Sequence, residues 1–141
     1  MKTVFTAFGF LIFAILMLPA LIKPPAVALA ADKARVEALA NALGAALIEY
    51  HGEYDEFPDG EHGEILKKLN GKNKKEIVFF EAPPDALSDD GELLDPWGTP
   101  FRIEYDQAQQ RPRIHSAGPN RVFEGHSAMH HMFSDDYRNW H

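Results

Sequence analysis

An uncharged stretch near the N-terminus limits what this chain can fold into more than any other feature. Residues 3–22 read TVFTAFGFLIFAILMLPALI and lie between Lys2 and Lys23. A helix of this length, at about 1.5 Å per residue, crosses the roughly 30 Å hydrocarbon layer of a bilayer. We therefore expect residues 1–25 to be an N-terminal membrane anchor or leader, with residues 3–22 in lipid, and residues 26–141 to form the folded domain. A buried globular helix is the alternative.

The fate of this N-terminus has three interpretations. It resembles a secretory signal peptide, with Ala28-Leu29-Ala30 as the small-residue cleavage site and Ala31 as the new N-terminus. It is equally a retained anchor whose cytoplasmic end carries Lys2 and the terminal amine. The third interpretation is a short leader that is cleaved closer to the start of the chain.

The charged residues exclude one class of partner. The chain carries a net charge of −7, and residues 1–31 contain two lysines and no acid, so the remainder is more acidic still. An acidic body argues against nucleic-acid binding, because phosphate neutralisation requires a surplus of lysine and arginine on one face. The absence of cysteine excludes disulfides and thiol catalysis.

An amphipathic helix is predicted after the Pro24-Pro25 pair. Its apolar residues recur at three- and four-residue spacing and form one stripe: Val36, Leu39, Leu43, Leu47, Tyr50 and Tyr54. Asp32 is predicted to be the N-cap of this helix or an acid of its first turn. The turn sequence from Phe57 to Gly60 is predicted to end it near residues 52–55. The stripe then offers a hydrophobic surface on which the rest of the chain can fold.

The second half of the chain is predicted to be a short helix followed by strands. His62 to Leu69 has helical spacing, with Asn70-Gly71 as its C-terminal stop. Residues 77–80 are predicted to be a short strand or a buried extended segment. From residue 101, apolar side chains alternate with charged ones, which predicts a strand. A second strand is predicted around residues 111–116, with Pro112 at its start or on an edge.

These elements predict an α+β fold. A long N-terminal helix would pack on a small antiparallel sheet, followed by a long C-terminal loop. The segment Asp95-Pro96-Trp97-Gly98-Thr99-Pro100 surrounds one tryptophan with two prolines and a glycine. We predict a rigid bend whose tryptophan fills the core beneath it. A ligand-binding aromatic is the alternative.

Three polar groups are candidates for binding. Residues 116–120, together with Ser134, Asp135 and Asp136, could supply oxygen ligands to a hard cation such as Ca²⁺; alternatively the two aspartates cap a last helical turn. His126, His130 and His131 include a pair four residues apart that could chelate zinc in a helix; alternatively, they are ordinary polar side chains on the surface. The lysines at 72, 74 and 75 form a solvated face or a site for an anionic partner. No pattern favours catalysis, so we expect a protein that is not an enzyme.

Four segments in this order, ALIEYHGEYDEFP, DPWGTPFRI, HSAGPN and DDYRNW, together with the apolar N-terminus, resemble the major pseudopilin of type II secretion systems. The resemblance implies a pilin-like fold whose single-pass anchor lies in the bacterial inner membrane and whose head lies in the periplasm. It implies polymerisation with copies of itself and contact with other pseudopilins or secretion-platform proteins. It also implies cleavage between Gly9 and Phe10. Calcium would be held by the main chain near Ala117 and by Asn120, Asp135 and Asp136.

The chain departs from this family at several positions. Ala14 stands where the family has a glutamate, prolines 19, 24 and 25 interrupt the stem, and Asn120 stands where the family usually has aspartate. With less negative charge among its ligands, calcium is expected to bind weakly or not at all. The leading hypothesis is a structural subunit of a pseudopilus or related pilin-like filament, acting by self-assembly in protein export. The alternatives are a Sec-exported periplasmic binding module that does not polymerise and a metalloenzyme built on the three histidines.

Overall fold

A computed structural model of the 141-residue chain describes residues 25–106, 111–123 and 137–138. Its helices are α1 (Pro25–Tyr54) and α2 (His62–Leu69), and a single 3₁₀ turn covers Pro84–Ala86. Its strands are β1 (Arg102–Asp106), β2 (Arg111–Ser116) and β3 (Tyr137–Arg138). The fold is therefore α+β, with a long N-terminal helix and a small antiparallel sheet, as predicted. Contacts divide the chain into two units, residues 1–31 and 32–141, and the described part of the first is the beginning of α1.

Helix α1 begins earlier than the sequence predicts. Asp32 lies inside the helix, beyond its first turn, so it is neither the N-cap nor a first-turn acid, and that prediction is wrong. The physical reason is local: Pro25 has the fixed φ that suits a first helical position, and the alanine-rich residues that follow have high helix propensity. The predicted end is confirmed, because α1 stops at Tyr54. Across the three described ranges, no helix combines the length and the apolar character needed to cross a bilayer.

The bounds predicted for α2 are both confirmed. The side chain of Glu64 accepts a hydrogen bond from the Glu61 N–H at 3.2 Å, which satisfies one of the free donors at the start of the helix. Gly71 follows the helix with a φ of 88°. This left-handed conformation favours glycine and ends the helix at the predicted Asn70-Gly71 step.

The sheet has the order β1-β2-β3, and both pairs are antiparallel. Arg102 lies opposite His115 at one end of the β1–β2 pair, and Asp106 lies opposite Arg111 at the other. β3 pairs with β2 only at His115 and Ser116. Pro112 therefore lies on a part of β2 that β3 does not reach, where a missing N–H is tolerated.

One hydrophobic cluster connects these elements. Val36, Leu43 and Leu47 of α1 are fully buried. The same cluster contains residues of α2, of the segment before β1 and of β2, including Leu69, Leu93, Phe101 and Ile114. The predicted stripe of α1 and the predicted hairpin thus share a single core. The segment 77–80 is only partly as expected: Phe80 is buried, but Val78 is 59% exposed and makes one isolated bridge to Asn70.

Candidate functional site

The bend at Asp95–Pro100 is held together by one carboxylate. Asp95 Oδ1 accepts hydrogen bonds from the main-chain N–H groups of Trp97, at 3.1 Å, and Thr99, at 2.9 Å. The main chain closes the same turn, with Asp95 N–H donating to the Thr99 carbonyl and Gly98 N–H donating to the Asp95 carbonyl. Gly98 has a φ of 84°, which a residue with a Cβ rarely adopts. The bend is therefore rigid.

The same carboxylate joins this bend to the end of β2. The Ser116 hydroxyl donates to Asp95 Oδ2 at 2.7 Å, and Ser116 Oγ accepts from the Gly118 N–H at 3.1 Å. Asp95 is 4% exposed and Ser116 is fully buried. A buried carboxylate is costly unless it is hydrogen bonded, and here it has three donors. We call these residues, Asp95 to Pro100 with Ser116 to Gly118, the Asp95 junction.

Trp97 lies on this junction and packs against the hydrophobic core while part of its side chain stays accessible. This placement favours the structural role over the ligand-binding one. The Asp95–Ser116 bond was not predicted from the sequence. An aspartate before a turn suggests bonds to the next few N–H groups, but a partner 21 residues away is set by the β1–β2 register.

The predicted calcium ligands fall in two groups. Ala117 is fully buried beside the junction and Asn120 is exposed after it. Asn120 Oδ1 accepts a hydrogen bond from the Val122 N–H at 2.8 Å. A calcium shell takes 6–8 oxygens, so these two positions would supply only a minority of the ligands. Asp135 and Asp136, which would complete it, lie outside the described residues, so calcium binding stays a prediction.

Other predicted sites also lie outside the described residues. These are Gly9 and Phe10 of the processing site, Ala14, the lipid-contacting residues 3–22, and His126, His130 and His131. Within the part of the chain that the structure describes, no group of three or more histidine, cysteine or acidic side chains is placed to hold a metal.

The lysines of the 72–75 run have different surroundings. Lys75 forms an ion pair with Glu53 of α1, and its Nζ lies 5.6 Å from the centre of the Tyr54 ring. Lys72 and Lys74 are exposed. Lys75 thus contacts other residues of the fold. Lys72 and Lys74 form the solvated face that the sequence predicted.

Helix α1 has a second apolar face that the core does not cover. Its exposed residues are Ala34, Ala38, Asn41, Ala45, Ile48 and Gly52, and we call these six residues the outer face of α1. They alternate at four- and three-residue spacing and lie opposite the buried stripe. Ile48 is 54% exposed. A surface helix normally carries charged and polar residues on this side, whereas five of these six positions are small or apolar.

Comparisons with known proteins return no similar protein. No family model matches the chain, and neither the curated proteins nor the solved structures provide a match.

Proposed function

We propose that this chain is a structural subunit of a type II secretion pseudopilus or of a related pilin-like filament, and that it acts by self-assembly in protein export. The observation that supports this proposal is the outer face of α1. One side of the helix packs in the core, and the opposite side presents to solvent a row of five small or apolar residues and one asparagine. Such a helix is suited to packing against another helix.

The spacing of the outer face supports helix-to-helix packing in particular. Alternation of four and three residues keeps a seam on one side of a helix and is the pattern of coiled coils. Alanine and glycine let two backbones approach closely. Asn41 is the polar member, and a single asparagine in such a seam fixes register at some cost in stability. No charged residue belongs to the outer face, so a second copy can pack there without burying a charge.

In this proposal the N-terminal segment anchors the subunit in the inner membrane by a single pass, and the acidic head stands in the periplasm. Partners are copies of the same chain, other pseudopilins, secretion-platform proteins and the lipid bilayer. Calcium, if bound, stabilises the C-terminal loop and takes no part in chemistry. The resemblance in four ordered segments supports this assignment.

Cross-linking through the outer face tests the proposal. The chain has no cysteine, so Ala45→Cys introduces a single reactive thiol on that face. We expect a bismaleimide that spans one heptad, about 10 Å of helix, to give a covalent dimer of the full-length protein in bacterial inner membranes, because one thiol per chain can be joined to only one other chain. The matched control is Glu37→Cys, which is exposed on α1 beside the outer face. Equal yields from both variants would contradict the proposal.

Fractionation and N-terminal sequencing separate the proposal from the binding-module alternative. A pilin-like subunit is recovered with the inner membrane and begins at Phe10 or Met1. A soluble monomer that begins at Ala31 would support the Sec-exported module and end the pseudopilin assignment.

A further inference from the structure

We propose that the Arg121–Val122 step of one copy docks into a groove beside α2 of a neighbouring copy, with the valine in the groove and the arginine on its acidic rim. This inference rests on the proposed function, because it names a contact between the heads of adjacent subunits. It follows from three features of the described residues: an apolar groove, a cluster of acids beside it, and an exposed turn with the complementary chemistry.

The groove is small and apolar. Its apolar walls are Leu66, Phe80, Ala82 and Leu87, and Gly63 and Lys67 also line it. Its volume is about 110 Å³. A dry protein cavity of about 150 Å³ accommodates a benzene ring, so this groove suits a branched aliphatic side chain better than an aromatic one. Leu87 is 38% exposed, which leaves an apolar wall in contact with solvent.

The acidic rim continues directly from the groove. A second cleft of about 220 Å³ shares Gly63 and Lys67 with it. The other lining residues of this cleft are four acids, Glu61, Glu64, Asp90 and Glu92. Lys67 offsets only one of these four charges. The combined surface therefore complements a ligand in which a cation lies beside an aliphatic group.

The turn after Ala117 presents this combination. Val122 is 59% exposed, and the preceding Arg121 is exposed as well. The turn is fixed by hydrogen bonds from the Arg121 N–H to the Gly118 carbonyl, at 3.1 Å, and from the Val122 N–H to Asn120 Oδ1, at 2.8 Å. Arg121 has a φ of 60°, a conformation that is uncommon for a residue with a side chain. A turn held in one conformation loses little entropy when it binds.

The occupant of the groove is a second copy of this chain, because the proposed function places copies side by side. The turn and the groove are two different surfaces of the same chain, so contact between them is heterologous: each copy offers one turn and one groove. Heterologous contacts extend into rings or open helical filaments. One valine in the groove and one arginine on the rim would add a defined head contact to the packing of α1 stems.

Disulfide formation between two single-cysteine variants tests this contact. Val122→Cys and Leu87→Cys are co-expressed as full-length chains with different tags and oxidised in membranes with copper-phenanthroline. We expect a heterodimer that carries both tags. The matched control replaces Val122→Cys by Val78→Cys, since Val78 is also 59% exposed but does not line the groove. A heterodimer yield no greater than that of the control overturns the inference.

Charge reversal adds a second measurement. Arg121→Glu in the Val122→Cys chain should lower the heterodimer yield by about two- to fivefold, as expected for loss of an exposed ion pair. Asp90→Arg in the Leu87→Cys chain should restore it. No change on either reversal overturns the placement of the arginine. If Ala45→Cys cross-links through α1 while the heterodimer is absent, this inference fails and the proposed function stands; if both are absent, both fail.

Discussion

At the scale of single residues, burial makes His62 sensitive to pH. Burial lowers the pKa of this imidazole to about 4, because the charged form would lose its hydration. Its Nε2 atom is buried and has no hydrogen-bond partner in the described part of the chain. His62 is therefore neutral in the folded protein at neutral pH, and its protonation opposes folding.

We expect the free energy of unfolding to fall as the pH drops from about 6.5 to about 4. Above this window His62 is neutral in both states; within it the unfolded chain binds a proton that the folded chain does not, so acid favours unfolding. This pKa difference between the unfolded and folded states corresponds to a loss of about 2–3 kcal/mol in the free energy of unfolding, after a discount for the partial exposure of the side chain. Urea denaturation of wild-type protein and His62→Leu at pH 7.5 and pH 4.5 measures the effect. Equal losses of stability in the two proteins would contradict it.

Residue-level predictions from the sequence succeeded where the interaction is local. The rigid bend around Trp97 follows from its prolines and glycine, and its main-chain bonds to Asp95 span two to four residues. The Asp95–Ser116 bond and the burial of His62 depend on how distant segments meet. No spacing rule in a single sequence contains that information.

At the scale of elements, α2 is held close to the turn that precedes β1. A Cβ built on Gly63 would lie 2.7 Å from the main-chain carbonyl oxygen of Asp90, which is closer than real Cβ contacts allow. The contact is between two backbones, so neither side can move away by rotating a side chain. Gly63 is therefore needed for close approach rather than for turn geometry.

Two glycine substitutions should have opposite effects. Gly63→Ala should lower the free energy of unfolding by about 1–3 kcal/mol, because α2 or the Asp90 turn must shift to admit the methyl group. Gly52→Ala should raise it by about 0.5–1 kcal/mol, because a Cβ at that exposed helical position meets nothing within 4 Å and alanine favours a helix. Chemical denaturation of both variants measures the difference. A stabilised Gly63→Ala protein would show that the two backbones are not in contact.

The strongest periodic patterns predicted the elements best. α2 and β2 have the predicted bounds, and the stripe from Val36 to Tyr50 is buried as expected. The predicted start of α1 is wrong because Asp32 has a side chain that can cap a helix, which suggested a later start. The alanine-rich residues before it have high helix propensity and extend the helix back to Pro25. Four consecutive apolar residues in segment 77–80 predict burial of the whole segment, whereas Phe80 is buried, Phe79 packs against the core and Val78 is 59% exposed.

At the scale of the whole molecule, calcium should raise the melting temperature if it binds the C-terminal loop. A ligand that binds only the folded state stabilises it by mass action, by about 1.4 kcal/mol at ten times the dissociation constant. A weak site has a dissociation constant of roughly 10⁻⁴–10⁻³ M, so this stabilisation requires millimolar calcium. Thermal melts of full-length protein in calcium and in chelator measure the shift, and Asp136→Asn should abolish it. Identical melting temperatures in calcium and chelator would count against the site.

The Asp95 junction has a consequence for how the molecule opens. Its donors come from two segments, the bend before β1 and the end of β2. If either segment detached alone, a carboxylate would be left in the interior without its full set of donors, and that cost opposes every half-open state. The two segments should therefore unfold locally as one cooperative unit. Their amide protons should exchange with solvent at similar rates.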